Sequence, residues 1–384
     1  MKREISKIVI LFFIALFCLN CSKNEKDEHS LSDRSRGSNS SNNSGTPQPG
    51  MITAGEWNDL DNWDFWNEII GDPSYNSMPE YWKFYHNNRI SVKVMNKNGN
   101  PLTNAIVEII RTTTIFTART DNFGKAELWV DLFQKSETVD YSTLSIAVNG
   151  KLEMRSSKPF SQGINEIIVE SQQPANRIEI ALVVDATGSM GDELEYIKTE
   201  LVDVIQKVKD NNSQAAIYTS AIFYRDEGDE YVTRISNFTD KISVTNNFIN
   251  QQKAEGGGDY PEAVHTALEK AVNELQWSSN AKTRLMFLIL DAPPHYENNI
   301  ISSIQNSIKK FAEKGIKIIP VTASGIDKET EFLMRFLAIS TNGTYVFITN
   351  DSGIGNDHLT PTVGEYEVEY LNDLLVRLIN KYSE

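Results

Sequence analysis

Apolar and polar positions alternate in blocks from residue 176 to residue 384. Short apolar runs, which predict strands buried on both faces, are separated by stretches in which apolar residues recur every three or four positions, as on one face of a helix. This alternation predicts an α/β, Rossmann-like fold with a doubly wound, mostly parallel sheet and helices on both faces. The predicted strands are residues 178–184, 215–224, 231–235, 285–290, 316–321 and 345–348, and the predicted helices are 190–208, 261–277, 300–312, 329–339 and 366–382.

The pattern has a period of two in residues 89–172. Ile90 and Val92 alternate with polar residues, and turns rich in Asn and Gly separate similar runs at short intervals. Because no helical stretch interrupts these runs, we expect a small β-sandwich. Residues 90–109 and 118–130 resemble the carboxypeptidase-regulatory-like, prealbumin-type sandwich. Members of that family are mostly spacers and docking modules, so the resemblance implies no catalysis.

The segment 51–88 is rich in aromatic residues and contains four of the six tryptophans. Trp63, Trp66 and Ile70 have helical spacing and predict one short helix. An aromatic cluster can stack on a carbohydrate or pack against a neighbouring domain. Since no convergent polar groups accompany this one, we predict that it packs.

The first twenty residues have the features of an export signal. A basic start is followed by a twelve-residue apolar run, residues 8–19, which is shorter than the roughly 20 residues of a membrane span. The run ends in Cys18-Leu19-Asn20-Cys21 and resembles a bacterial lipoprotein signal, so we expect residues 1–20 to be removed and Cys21 to be lipidated. An uncleaved anchor is the alternative.

The segment 21–50 is predicted to be a flexible tether behind the lipidated cysteine. Most of residues 29–50 are Ser, Gly, Asn or Pro, which cannot bury enough apolar surface to offset the entropy of ordering. The charged residues 22–28 resemble the sorting tags of some Bacteroidetes-type lipoproteins, although a solvated charge run would look the same. We therefore expect a protein of the bacterial cell envelope that is anchored to the outer membrane by lipid. The outer face of that membrane is one expected location.

The charge balance narrows the classes of partner. Lys and Arg number 37 against 52 Asp and Glu, a formal net charge of −15, so no basic stripe is available for nucleic acid or for anionic lipid. We expect no nucleic acid partner and membrane contact through the lipid anchor only. Cys18 and Cys21 are the only cysteines in the sequence, which excludes a disulfide framework or a cysteine zinc site in the folded part.

Oxygen-bearing side chains follow the predicted strands of the C-terminal region. Asp185, Thr187 and Ser189 lie on the turn after the first strand, Asp259 lies in a glycine-rich loop, and Asp291 ends a later strand. In parallel sheets the binding site lies at the carboxyl ends of the strands, so these residues are expected to converge. Hard oxygen ligands suit Mg²⁺, with Mn²⁺ or Ca²⁺ as alternatives, and a cation would offset the repulsion of converging carboxylates.

These motifs, spread over residues 176–384, resemble the metal-ion-dependent adhesion site (MIDAS) of a von Willebrand factor type A (VWA) domain. The resemblance implies a divalent metal held by Asp185, Thr187, Ser189, Asp259 and Asp291. Many family members have Thr at the position assigned to Asp259. The additional carboxylate predicts tighter metal binding, and weaker dependence on an acidic residue of the partner, than a site with two carboxylates.

The resemblance implies binding of an unidentified protein or surface macromolecule through the metal, and no enzyme activity. A metal-dependent hydrolase is one alternative, for which Asp226 or His295, both beside the predicted ligands, is the nearby candidate base. Otherwise we expect His295 to be an exposed loop histidine and Arg225 to pair at the surface. A structural envelope scaffold, or a domain whose metal site is no longer functional, is a further alternative.

Two other families have similar motifs at an aspartate. An aspartic protease requires Asp-Thr-Gly-Ser, which is interrupted here by Ala186 and has no second copy. A haloacid-dehalogenase phosphatase requires Asp-x-Asp-x-Thr, whereas position 187 is Thr. Neither match is complete, so both classes are disfavoured.

Overall fold

The computed structural model describes residues 46–136 and 138–384. The predictions for the signal peptide, for Cys21 and for most of the tether therefore lie outside the described residues. The strands are β1 (Thr53–Trp57), β2 (Arg89–Met95), β3 (Ile106–Ile110), β4 (Thr114–Arg119), β5 (Lys125–Trp129), β6 (Ser145–Val148), β7 (Lys151–Met154), β8 (Asn165–Ile168), β9 (Ala175–Asp185), β10 (Ala216–Tyr224), β11 (Thr233–Thr239), β12 (Ala281–Leu290), β13 (Lys317–Thr322), β14 (Tyr345–Ile348) and β15 (Glu369–Tyr370).

The helices are α1 (Trp63–Gly71), α2 (Met78–Trp82), α3 (Leu194–Asn211), α4 (Ile242–Asn250), α5 (Val264–Asn273), α6 (Asn298–Lys314), α7 (Lys328–Ser340) and α8 (Leu371–Lys381). Within the part of the chain that the structure describes, no helix is both long and apolar enough to span a membrane.

The C-terminal region is built on a mixed eight-stranded sheet flanked by helices. Its strand order is β11-β10-β9-β12-β13-β14-β1-β15. Strands β10, β9, β12, β13 and β14 are parallel, whereas β11 and β1 are antiparallel to their neighbours. From β9 the chain passes first to β10 on one side and later to β12 on the other. The carboxyl ends of these three strands, where a site is expected in such sheets, are therefore adjacent.

Strand β1 belongs to this sheet, although the sequence pattern assigned residues 51–88 to a separate segment and began the α/β region at residue 176. It pairs with β14, with Ala54 opposite Ile348. Residue Ala54 is fully buried and packs in the apolar core that covers one face of the sheet. The α/β core is therefore completed by residues more than 120 positions upstream of β9.

Several helix boundaries differ from the prediction, including the one after the glycine-rich loop. The pattern predicted a helix from Pro261, but α5 begins at Val264. The backbone N–H of Glu262 donates to the carbonyl of Pro293 at 2.8 Å, which ties this stretch to the loop after β12. The pattern also missed α4, whose residues Ile242 and Ile249 pack into the core.

Residues 89–168 form a sheet-rich region. It contains a three-stranded sheet, β5-β2-β8, and a four-stranded sheet, β4-β3-β6-β7. The sandwich arrangement and the family resemblance of this region stay predictions.

The aromatic segment 51–88 packs against both neighbouring regions. Trp66 is 2% exposed and contacts Phe336 of α7 with ring centroids 5.4 Å apart. Trp63 contacts Trp129 of β5 at 5.9 Å. These contacts confirm that the aromatic cluster packs inside the protein, at the junction between the sheet-rich region and the α/β region.

Candidate functional site

The turn after β9 brings three oxygen-bearing side chains together. The backbone N–H and the hydroxyl of Thr187 both donate to Oδ1 of Asp185, at 2.9 and 2.7 Å. The Thr187 hydroxyl also lies 3.2 Å from that of Ser189. Asp185 and Thr187 are buried, whereas Ser189 is exposed. The cluster therefore opens to solvent on the Ser189 side.

Asp291, at the end of β12, is buried beside this turn. Burial raises its pKa, and the charge of Asp185 raises it further, while the neighbouring Ser189 hydroxyl has the opposite effect. Burial likewise raises the pKa of Asp185. The two carboxylates are therefore close enough to repel each other in a poorly solvated site.

Glu262 is the third carboxylate of this group, and the sequence analysis did not identify it. It is 2% exposed, and burial followed by the charges of Asp185, Asp226 and Asp291 raises its pKa to about 9. The backbone hydrogen bond from Glu262 to Pro293 places this residue against the loop that follows Asp291. The available signal was a second acidic residue directly after the glycine-rich loop, three positions beyond Asp259.

The three carboxylates have free acceptor capacity. Oδ2 of Asp185, Oδ1 of Asp291 and Oε2 of Glu262 are buried and accept no hydrogen bond from any described residue. Unpaired buried carboxylate oxygens are costly, and a divalent cation would satisfy them. With the hydroxyls of Thr187 and Ser189, the donor set consists of hard oxygens and fits Mg²⁺. We call these five residues the strand-end site.

The hydroxyl of Tyr224 also faces this group. Tyr224 is the last residue of β10 and lies directly opposite Asp185 in the parallel pairing. Its Oη makes no hydrogen bond of ordinary geometry to any described residue, but it lies close enough to the Asp185 carboxylate to act as a donor and lower the pKa of Asp185. Burial and the charges of Asp185 and Asp291 raise the pKa of Tyr224, so the hydroxyl stays protonated and available as a donor.

The glycine-rich loop is fastened to the turn after β9 by backbone hydrogen bonds. The N–H of Gly188 donates to the carbonyl of Gly256, and the N–H of Glu255 donates to that of Ala186, both at 3.1 Å. Asp229 accepts hydrogen bonds from the N–H groups of Gly257, at 2.9 Å, and Asp226, at 3.1 Å. Asp229 therefore links the loop after β10 to the glycine-rich loop.

The buried side chain of Arg225 forms hydrogen bonds to the backbone of the same loops. It is 3% exposed, and its guanidinium donates to the carbonyls of Ala186, at 3.1 Å, and Lys253, at 3.0 Å. The expected surface pairing is therefore wrong: the longer contacts to Glu230 and Glu255, at 3.8 and 3.5 Å, are secondary to a buried structural role.

Asp259 lies beside two residues that were not among the predicted ligands. It is exposed, and one carboxylate oxygen lies within 4.8 Å of ligand atoms of Asp226 and His295, which are themselves within that distance of each other. Nε2 of His295 is 2.8 Å from Oδ1 of Asp226. The structure thus groups Asp259 with Asp226 and His295, and it places Glu262 beside Asp185 and Asp291.

Two exposed tyrosines adjoin the acidic groups in sequence. Tyr260 follows Asp259 and is 43% exposed, and Tyr296 follows His295 and is 48% exposed. Tyr296 stacks on Tyr81 with ring centroids 4.2 Å apart and donates to the Tyr81 carbonyl at 2.8 Å. The loops that carry the acidic residues therefore also present aromatic surface.

Comparison with known proteins identifies the α/β region. Residues 179–354 match the family model described as von Willebrand factor A domain. A putative ariadne-like RING finger protein of Acanthamoeba polyphaga mimivirus is 34% identical over 122 residues, 32% of this chain and 12% of that protein. The alpha-protein kinase vwkA of Dictyostelium discoideum is 28% identical over 160 residues, 41% of this chain and 24% of that protein.

The chain therefore spans less than a quarter of the length of these curated relatives. Among solved structures, that of the conserved hypothetical protein BatB from Bacteroides thetaiotaomicron aligns with 54% of this chain and 98% of its own. The two share 14% sequence identity with a TM-score of 0.37.

Proposed function

Because residues 179–354 form a von Willebrand factor A domain, we propose that this protein binds a protein or other macromolecular partner through a divalent cation at the strand-end site. Domains of this family generally mediate protein interactions. The observation that carries the proposal is that three buried carboxylates near the ends of β9 and β12 each have an oxygen without a hydrogen-bond partner among the described residues. A divalent cation would satisfy these oxygens and offset the repulsion between the carboxylates.

The residues of the strand-end site have separate roles in this proposal. Asp185, Asp291 and Glu262 supply negative charge to the cation, and Thr187 holds Asp185 in place through its two hydrogen bonds. The exposed Ser189 would complete the protein ligands nearest to solvent. When bound, Mg²⁺ would neutralise the carboxylates and offer a coordination position to an oxygen of the partner.

The surroundings of the site suit a macromolecular partner. Exposed Tyr260 and Tyr296 present large, partly apolar side chains on the same loops, and tyrosine is enriched at protein interfaces. Three carboxylates around one dication leave a formal charge of −1. We therefore propose that the partner approaches through neutral oxygens and aromatic contacts more than through an acidic residue.

Calorimetric titration of Mg²⁺ into the metal-free protein tests the site. We expect saturable binding of about one ion per chain, which Asp185→Asn abolishes. Asp210→Asn is the matched control, because it removes the same charge from an exposed position at the end of α3. Absence of Mg²⁺ binding to the wild-type protein at millimolar concentration would refute the proposal and favour the scaffold alternative.

Partner binding is tested separately. The immobilised protein is exposed to cell-envelope extract in Mg²⁺ or in EDTA, beside the Asp185→Asn variant. The proposal expects one set of proteins retained only by the wild type in Mg²⁺. If retention is unchanged by EDTA and by the substitution, the strand-end site does not mediate the interaction.

We also propose that the protein is exported and lipid-anchored through Cys21, on the strength of the signal-like residues 1–20 and the Cys18-Leu19-Asn20-Cys21 sequence. Metabolic labelling with palmitate in a bacterial host, followed by membrane fractionation, is the test. Label that is lost in Cys21→Ser and retained in Cys18→Ser is the expected result. Label that is retained in Cys21→Ser would contradict it.

A metal-dependent hydrolase is the second candidate function. The observation in its favour is the hydrogen-bonded pair of Asp226 and His295, in which the carboxylate could orient the imidazole as a general base. A panel of phosphoesters and glycosides, assayed with Mg²⁺ or Mn²⁺, tests it. Turnover that is abolished by His295→Gln would establish this activity.

A further inference from the structure

A second group of metal-ligating side chains lies beside the strand-end site. Asp226 follows the end of β10, Asp259 lies in the glycine-rich loop, and His295 follows Asp291 by four residues. One ligand atom from each lies within 4.8 Å of the others. These side chains come from three different loops, and the hydrogen bonds between the loops bring them close together.

The spacing of these atoms agrees with that of ligands around one ion. Tetrahedral ligand bonds of about 2.0–2.1 Å place neighbouring donor atoms about 3.3–3.4 Å apart. Nε2 of His295 and Oδ1 of Asp226 are 2.8 Å apart, and the ligand atom of Asp259 is within 4.8 Å of the ligand atoms of the other two residues. Small side-chain shifts would therefore bring the three donors into one coordination sphere.

An independent observation comes from Glu262. This side chain is 2% exposed, and its Oε2 has no hydrogen-bond partner among the described residues. Its backbone N–H donates to the carbonyl of Pro293, two residues before His295, so Glu262 is held against the loop that carries His295. An unpaired buried oxygen next to this loop is costly, and a nearby cation would offset that cost.

The charge balance leads to the same conclusion. Asp185, Asp291, Glu262, Asp226 and Asp259 lie on the connected loops, and Asp229, which links two of these loops, is a sixth carboxylate. Fully ionised, the six carry −6, and one dication would leave −4. Like charges this close in a partly buried site are unfavourable unless more positive charge is present.

We propose that Asp226, Asp259 and His295 bind a second divalent cation beside the strand-end site. An imidazole nitrogen among the ligands favours a first-row transition metal such as Zn²⁺ over Mg²⁺, which prefers oxygen. The strand-end site, which consists of oxygen donors, favours Mg²⁺. The two positions are therefore selective for different metals. This inference is independent of whether a partner binds at the strand-end site.

The test uses the full chain in excess Mg²⁺, with Co²⁺ as a visible probe of imidazole coordination and Zn²⁺ as its competitor. We expect about one Co²⁺ per chain, displaced by Zn²⁺. His295→Gln and Asp259→Asn should each weaken Co²⁺ binding at least ~10-fold, because each removes a ligand. Both residues are at least partly exposed, so the variants should fold. His29→Gln is the matched control for loss of a histidine, and Asp210→Asn for loss of a carboxylate.

The outcomes separate this inference from the proposed function. Co²⁺ binding that survives in Asp185→Asn, while Mg²⁺ binding is lost there, supports two positions. Absence of Co²⁺ binding in the wild type, or Co²⁺ binding unchanged by His295→Gln and Asp259→Asn, overturns the second site and leaves the strand-end site unaffected. If the wild type binds Co²⁺ but does not bind Mg²⁺, the proposed function alone is overturned.

Discussion

Glu262 and Asp259 are three positions apart in the glycine-rich loop, yet their environments differ. Glu262 is buried beside Asp185 and Asp291, whereas Asp259 is exposed and lies beside Asp226 and His295. A carboxylate in a poorly solvated site interacts more strongly with a cation than one screened by water. The two residues should therefore contribute differently to Mg²⁺ binding.

We predict that Glu262→Gln weakens Mg²⁺ binding at least ~10-fold, equivalent to about 1.4 kcal/mol, while Asp259→Asn changes it less than about threefold. Without metal, Glu262→Gln should be about as stable as the wild type at pH 7, because the raised pKa of about 9 already keeps this carboxyl protonated there. Calorimetry and thermal melting with and without Mg²⁺ provide the measurements. A larger loss of Mg²⁺ affinity in Asp259→Asn would restore Asp259 as the ligand of the strand-end site.

His86 is a buried histidine outside the metal-binding loops. Its ring contacts those of Trp129, at 4.8 Å, and Phe336, at 5.3 Å, and its Nε2 lies 2.9 Å from Oγ of Ser340. Burial, assisted by the charge of Arg89, lowers its pKa to about 3. The folded protein therefore keeps this histidine neutral at pH values where the unfolded chain, with a pKa near 6.5, is protonated.

Between about pH 6.5 and pH 3 the unfolded state binds the additional proton, so this histidine reduces stability as the pH falls, by up to about 1.4 kcal/mol per pH unit. His86→Gln removes the effect. The variant should be less stable than the wild type at pH 7, and the difference should shrink by about 2 kcal/mol at pH 5. Denaturant unfolding at both pH values, with His29→Gln as control, measures it. A difference that is independent of pH would show that His86 is not responsible.

At the scale of elements, the glycine-rich loop depends on backbone conformations that side chains rarely adopt. Gly256 has a φ of +82°, and a Cβ there would lie 2.5 Å from the carboxylate atoms of Asp229. Asp229 joins this loop to the one after β10. Gly258, in contrast, has open space around its Cβ position and no positive φ.

We predict that Gly256→Ala lowers the free energy of unfolding by about 1–3 kcal/mol and weakens binding at both metal positions, because Asp229 must move. Gly258→Ala should stay within about 0.5 kcal/mol of the wild type. Urea unfolding and metal titration of the two variants test this pair. Equal effects from both substitutions would mean that loop entropy, rather than the Asp229 contact, determines the result.

At the scale of the whole molecule, one buried ion pair connects the N-terminal segment to the α/β region. The Arg335 side chain, 0% exposed on α7, donates to both carboxylate oxygens of Asp59, 1% exposed, at 2.9 and 2.6 Å. Trp57 Nε1 donates to the same carboxylate at 3.0 Å. The charge of Arg335 is thus neutralised mainly by a residue far upstream in sequence.

Asp59→Asn should reduce the free energy of unfolding by about 3–5 kcal/mol, because it leaves the guanidinium buried without its counterion. Asp61→Asn, two residues away and exposed, removes the same charge and should change stability by less than about 0.5 kcal/mol. Chemical denaturation of both variants is the measurement. Similar small losses in the two would indicate that Glu331, which lies 3.6 Å from Arg335, is a sufficient counterion.

Several elements were predictable because burial of a strand or of one helix face determines where apolar residues occur along the sequence. The strand at residues 345–348 matches β14, and the Trp63–Trp66–Ile70 spacing matches α1. Strand β1 was not predicted, because its five residues, Thr-Ala-Gly-Glu-Trp, show no clear alternation of apolar and polar positions. Its place beside β14 depends on a pairing between residues almost 300 positions apart, which no local pattern can indicate.

The sequence alone determined that the C-terminal region is a mostly parallel α/β sheet and that Asp185, Thr187, Ser189 and Asp291 follow its strands, because hydrophobic periodicity and strand ends are local properties. The burial of Glu262, and the grouping of Asp259 with Asp226 and His295, became visible only in the folded chain. Both depend on backbone hydrogen bonds between loops and on two glycines with positive φ, Gly256 and Gly257, which turn the chain just before Asp259. The direction of a side chain in a turn is determined by the contacts around it.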